Sequence, residues 1–347
     1  MDRQALTDAI DDAAQRINFS GVVSVTGDDL RLQRAYGFAN RANQIANRVT
    51  TRFGIASGTK FLTALAVGSL IDRGLLRIDA KVHDLVSFDL PCLGRDATVA
   101  HLLEHTSGIY DYYDEELVED FDNFHVEIPW NLLTTPRDYL PLFRDREMKF
   151  APGERFSYSN GGYILLGVLV EELTGRLFRE IVADNVLAPA CMDRSGFFAL
   201  NQLPDDTALG YMELTDGSWQ TNIYNLPRIG ASDGGVFATA DDIDRLWRAF
   251  ANDAVVGPDT RRDFTTARHR LAETVSYGRG LYLWTALDEP GWLIVGSDAG
   301  VGFDSRHVPG RNLTATVVSN TTDGHVAVRD AVRQWLIAER RGRVTPD

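Results

Sequence analysis

Stretches with a hydrophobic period of two lie at the two ends of the chain, and helical periods fill the middle. Gly21-Val22-Val23-Ser24-Val25-Thr26 reads as a strand, Gly27-Asp28-Asp29 as a turn, and residues 30–37 as the returning strand of a hairpin. Near the other end, residues 278–284, 291–296, 302–307 and 313–320 have the same character, with tight connections. They predict three or four strands of an antiparallel sheet. Residues 2–17 predict a helix with Leu6, Ile10, Ala13, Ala14 and Ile17 on one face, and residues 324–340 predict a closing helix. From about 75 to 235 the chain reads as helices and long loops. The expected class is therefore α+β: an antiparallel sheet flanked by N- and C-terminal helices and split by a mainly helical insertion. The expected division is 1–52 with 236–347 for the sheet domain and 53–235 for the helical one.

At 347 residues there is chain enough for two compact units or one large one. Apolar content of 44% and charged content of 24% suit a soluble enzyme. The net charge of −14 argues against a nucleic-acid partner or an anionic membrane surface. The first ten residues form an acidic amphipathic pattern, not a basic stretch before an apolar core, so a cytoplasmic location is expected. No apolar run reaches membrane-spanning length. Cys92 and Cys191 are too few for a disulfide framework.

Chemistry concentrates at Ser57-Gly58-Thr59-Lys60, followed by an apolar helical run that should stop at Arg73-Gly74. Positions i and i+3 share a helix face, so the Ser57 hydroxyl and the Lys60 amine point the same way. An amine whose pKa is lowered by burial can take a hydroxyl proton, and a helix N-terminus favours a developing oxyanion. Ser57 could equally be a helix cap, with Lys60 solvated. The chain has only three lysines, Lys60, Lys81 and Lys149. Further on, Pro152-Gly153 precedes Phe156-Ser157-Tyr158-Ser159-Asn160, and an apolar helix runs from Gly161 to Thr174 before Gly175.

With both motifs placed, the chain resembles the serine β-lactamase and penicillin-binding-protein superfamily. It is most similar to the class C-like branch, which includes D-alanyl-D-alanine carboxypeptidases, D-aminopeptidases and esterases. His101-Leu102-Leu103-Glu104-His105-Thr106-Ser107-Gly108-Ile109, Pro189-Ala190-Cys191-Met192 and Gly234-Gly235-Val236-Phe237-Ala238-Thr239 match other hallmarks of that branch, in order, from about residue 20 to 320. The resemblance implies the β-lactamase/transpeptidase-like fold, with Ser57 as the acylated nucleophile. Lys60 and Tyr158 would share the proton work, Lys60 facing either a phenolate or a phenol. Asn160 would orient Lys60 and the substrate amide. An oxyanion hole would come from the Ser57 N–H and a third-motif strand, and no cofactor or metal is implied.

The third motif departs from the family pattern of Lys-Thr-Gly or His-x-Gly. Aligned through Gly302-Phe303, it falls at Gly296-Ser297-Asp298-Ala299-Gly300, and no basic residue is present. Ser297, Asp298, Ala299 and Gly300 are the expected substrate-orienting residues. Asp298 there would repel a substrate carboxylate, which favours a neutral ester or an amine-bearing amide over a β-lactam. The expected activity is a serine hydrolase acting through a Ser57 acyl-enzyme on a small ester or amide, esterase- or D-aminopeptidase-like. The alternatives are a β-lactamase or D-alanyl-D-alanine carboxypeptidase, or a catalytically silent ligand-binding protein. A small-molecule substrate is the expected partner.

Two further patterns compete. Gly230-Ala231-Ser232-Asp233-Gly234 fits a nucleophile elbow, but Asn225-Leu226-Pro227-Arg228-Ile229 is a poor preceding strand. His101-Leu102-Leu103-Glu104-His105 fits an inverted zinc-protease pattern, but its leucines read as core and no third ligand is indicated. Residues 110–150 read as a surface excursion. Its aromatics Tyr110, Tyr112, Tyr113, Phe121, Phe124 and Trp130 would either line a pocket or pack a loop.

Overall fold

The computed structural model describes residues 3–118, 120, 122–286 and 289–341. Its main sheet has eight strands: β1 (Gly21–Gly27), β2 (Leu30–Tyr36), β3 (His269–Arg270), β4 (Val275–Tyr277), β5 (Tyr282–Ala286), β6 (Glu289–Asp298), β7 (Val301–Val308) and β8 (Leu313–Ser319). Their order is β2-β1-β8-β7-β6-β5-β4-β3, and every pairing is antiparallel. The N-terminal hairpin joins the C-terminal strands where Gly21 pairs with Ser319. The C-terminal part supplies more strands than its sequence pattern predicts. The added β3 and β4 are two and three residues long, too short to show an alternation. Residues 278–281 are not strand: Gly280 takes φ +84 where a β-carbon would lie 2.3 Å from the Ala64 side chain.

Both faces of the sheet are covered, which is why β7 and β8 are buried along their whole lengths. Successive residues go to opposite cores. The Val22–Val318 pair faces a core with Phe61, Trp247, Phe250 and Trp292, while the Val23–Val317 pair faces one with Leu6, Ile10 and Val332. Helix α1 (Arg3–Arg16) and a C-terminal helix (Val326–Arg341) cover the second face, packed on each other.

Helix α2 (Thr59–Asp72) is buried all round from Thr59 to Leu70, so it sits centrally and not on a surface. It stops where expected, at Arg73 and then Gly74 with φ +69. The helix formed by Asn160–Thr174 packs against it, is buried from Asn160 to Val170, and ends at Gly175 in the left-handed conformation. These two helices carry the two chemical motifs at adjacent N-terminal ends. Cys92 is buried, Cys191 is exposed, and neither is bonded. Among the described residues no helix is long and apolar enough to cross a membrane.

Trp247, on the helix Ala240–Ala251, ties that helix to the sheet. Its side chain is fully buried, its indole N–H donates to Ser305 Oγ at 2.9 Å, and its ring stacks on His307 at 13°. Truncation there removes packing and leaves a cavity. Trp247→Ala is therefore expected to lower unfolding free energy by about 3–5 kcal/mol in urea titration; a loss below about 1 kcal/mol would contradict this packing.

Candidate active site

Ser57 lies in a short turn, Ala56–Gly58, that runs directly into α2. Ala56 has φ +42, a conformation that crowds its β-carbon. The turn is held by Ile55 N–H to the Val236 carbonyl at 2.9 Å and by Gly58 N–H to the Ile55 carbonyl at 2.8 Å. One helical turn on, Lys60 is 2% exposed. Its Nζ lies 2.7 Å from Asn160 Oδ1, 2.7 Å from the Asp233 carbonyl oxygen and 3.0 Å from Ser57 Oγ. A neutral amine has two protons and one lone pair. That set therefore suits two donated bonds, to Asn160 and Asp233, and one accepted from the serine hydroxyl. Burial lowers the Lys60 pKa, while the carboxylates of Asp233, Glu115, Asp111 and Asp298 push it back up.

Tyr158 arrives on the loop after Pro152-Gly153, with Lys60 Nζ 4.9 Å from the centroid of its ring and the Ser57 side chain close enough to act on its phenol. Burial, then the Glu115 charge, hold that phenol well above its usual value, opposed by the Ser57 side chain. Burial thus acts on both groups in the direction of their neutral forms. His105 supports the tyrosine from below, with ring centroids 4.4 Å apart. Its Nδ1 accepts the Ser159 N–H at 3.0 Å, so its proton sits on Nε2, which faces the Tyr277 hydroxyl at 3.1 Å. His101 does separate work: its Nδ1 accepts the Thr98 N–H at 3.2 Å and caps the helix Val99–Leu103. The two histidines of His-x-x-Glu-His are thus each engaged elsewhere.

Asn160 opens its helix. Its Oδ1 faces Lys60, and its Nδ2 donates to the Tyr113 carbonyl at 2.8 Å. The N–H groups of Asn160 and Gly161 donate to Asp111 at 2.7 and 3.0 Å. Asp111 is 4% exposed, so the start of the expected surface excursion is in fact folded under the site. Residues 110–115 are too polar and aromatic to signal that burial by composition. Tyr112, Tyr113, Phe124 and Trp130 line the cleft over Ser57. Tyr110 lies instead near the Arg146 guanidinium, and Phe121 lies outside the described residues.

The third-motif strand meets Ser57 at Gly296. A β-carbon there would lie 2.2 Å from the Ile55 carbonyl oxygen and 2.9 Å from the Ser57 nitrogen. Ser297, Asp298 and Gly300 line the cleft. Ala299 is fully buried, and its carbonyl accepts from Asn222 Nδ2 at 2.8 Å. Asp233 was not among the sequence candidates. It entered only as the neighbour of Ser232, yet its carbonyl receives Lys60 and its carboxylate accepts the Tyr112 hydroxyl at 2.5 Å. Ser232 is fully buried, with its hydroxyl directed to the Ile164 carbonyl at 3.4 Å, and it does not reach the cleft.

The model of the family described as Beta-lactamase matches residues 6–339. The putative penicillin-binding protein PbpX of Bacillus subtilis (strain 168) is 25% identical over 272 residues, 78% of this chain and 63% of that protein. The chain thus spans less than two thirds of the length of the first curated relatives it matches. A penicillin binding protein from Bacillus halodurans superposes with a TM-score of 0.89 at 38% identity, covering 94% of this chain and 99% of that one. A D-amino acid amidase from Ochrobactrum anthropi SV3 superposes at 0.80 with 19% identity, covering 98% and 99%, and shows the shared fold.

The contact at Gly296 can be tested without knowing a substrate. Gly296→Ala should slow labelling of Ser57 by a fluorophosphonate by roughly 10²-fold, the scale of a lost oxyanion donor. Ser232→Ala should leave labelling unchanged. Intact-mass time courses read both, and unaltered labelling in Gly296→Ala would count against the geometry.

Proposed function

The chain belongs to the beta-lactamase family, and from that premise we propose a serine hydrolase acting through a Ser57 acyl-enzyme on small esters or amides. The observation that carries this reading is the Lys60 amine 3.0 Å from Ser57 Oγ, with two other acceptors already holding its protons. Ser57 Oγ attacks the substrate carbonyl carbon and its proton passes to Lys60 Nζ. The Ser57 N–H and the edge of β6 beside it receive the oxyanion. As the C–O or C–N bond breaks, Lys60 returns the proton to the leaving group through the Tyr158 hydroxyl. Water then attacks the acyl carbon and gives its proton to the same pair, which passes it to Ser57 Oγ as the acyl–oxygen bond breaks.

Substrate charge follows from the cleft walls. Among the described residues that line it, none is Lys, Arg or His, whereas Asp233 and Asp298 both are present. A substrate carboxylate would meet like charge there, so neutral esters and amine-bearing amides fit better than penicillins. The 38% identical penicillin binding protein keeps β-lactam binding as the second reading.

Turnover of p-nitrophenyl acetate is expected to exceed that of a chromogenic cephalosporin, and the opposite ranking would favour the second reading. Ser57→Ala should abolish both turnover and fluorophosphonate labelling. If no probe or substrate acylates the native protein, a silent binding protein is the better account. Lys60 must be neutral to accept the proton. Its pKa is lowered by burial, so kcat/KM should rise with pH on a limb centred below the ordinary lysine value of 10.5. A limb at or above that value would remove Lys60 as the base.

A further inference from the structure

Asp298 lines the cleft, and among the described residues no cation is in direct contact with its carboxylate. One oxygen, Oδ1, accepts the Ala299 N–H at 3.0 Å, and no donor to the other is found among the described residues. Burial pushes it up to about 7, helped by the charges of Asp233 and Glu115 and opposed by that N–H and by the Lys60 charge. The nearest cation, Lys60, is committed to Ser57, Asn160 and the Asp233 carbonyl. Asp233 is already served by the Tyr112 hydroxyl.

A second observation points to what belongs there. Tyr113, Phe124 and Trp130 line the same cleft, with ring centroids 4.3 Å apart for the first pair and 6.3 Å for the second. Aromatic faces beside an unmatched carboxylate form a surface that attracts an organic cation. Distance then limits the ligand. Asp298 is two residues along β6 from Gly296, which touches Ser57, and two residues on a strand span ~7 Å. A carboxylate at that remove is near enough to meet an amine on the acyl part of a substrate held at Ser57. Phe198, Leu226 and Phe237 also line the cleft and offer an apolar side chain a surface to pack on.

We propose that Asp298 and the Tyr113–Phe124–Trp130 wall seat a primary ammonium group on the acyl part of the substrate. The preferred substrates are then amides or esters of apolar amino acids with a free amino group. This rests on the hydrolase reading above.

The test compares D- and L-phenylalaninamide with their N-acetyl forms, with p-nitrophenyl acetate as the neutral reference. At least one free-amine amide should exceed its N-acetyl form in kcat/KM by tenfold or more. That ratio should fall to near one in Asp298→Asn and be kept in Asp298→Glu. Without any variant, phenethylammonium should inhibit p-nitrophenyl acetate hydrolysis competitively, and 3-phenylpropanoate should not. Equal turnover of free and acetylated amides, a ratio that survives Asp298→Asn, or equal inhibition by the two ions would overturn the ammonium seat. If p-nitrophenyl acetate is cleaved only when Ser57 is present but both amides are inert, the seat fails and the hydrolase stands. If ester cleavage does not depend on Ser57, the hydrolase reading itself fails.

Discussion

Lys60 carries an amine into a place closed to water, and three separate parts of the chain must arrive correctly to receive it. Asn160 comes from the start of the second buried helix, the Asp233 carbonyl from the loop before the Phe237–Ala238 strand, and Ser57 from the turn three residues upstream. A buried cation without partners would cost several kcal/mol. The same burial makes the neutral amine accessible. The arrangement therefore stabilises the fold only when it is complete, and the proposed base depends on the same contacts. Much of the surrounding structure positions these partners. Asp111 anchors the backbone of Asn160, and His105 fixes the backbone of Ser159 and packs under Tyr158.

Charge around this amine is unbalanced. Asp111, Glu115, Asp233 and Asp298 all act on Lys60, which is the sole cation among them. Their combined field favours the ammonium form, while desolvation favours the amine, and desolvation prevails. A substrate that brings its own positive charge would offset part of that field. The acidic net charge of the whole chain says nothing about this local effect, because screening removes distant contributions within about a Debye length.

How legible the site was depended on how local each interaction is. Ser57 and Lys60 are one helical turn apart, so their meeting follows from helix geometry alone. The caps of both buried helices, Gly74 and Gly175, were equally visible, since a left-handed residue calls for glycine. Strand β8 showed itself by its β-branched composition because both of its faces are covered. Asp111 and Asp233 left no such mark. Each acts through contacts some 50 and 173 residues away, and a lone Asp beside Gly or Tyr looks like any loop acid. Short β3 and β4 were missed for a related reason: their strand character comes from pairing with a neighbour, not from their own residues.

The amino-acid sequence by itself determined that strands at both ends flank a helical middle, that a serine and a lysine share a helix face, and that no basic residue follows in the third motif. Local periodicity, glycine stops and residue identity carry those facts, and none requires a partner from elsewhere. Tertiary structure alone decided which ring packs under Tyr158, which strand residue abuts Ser57, and which carboxylates crowd the amine. Those depend on burial and on distances between segments far apart in the chain, because burial sets the cost of charge.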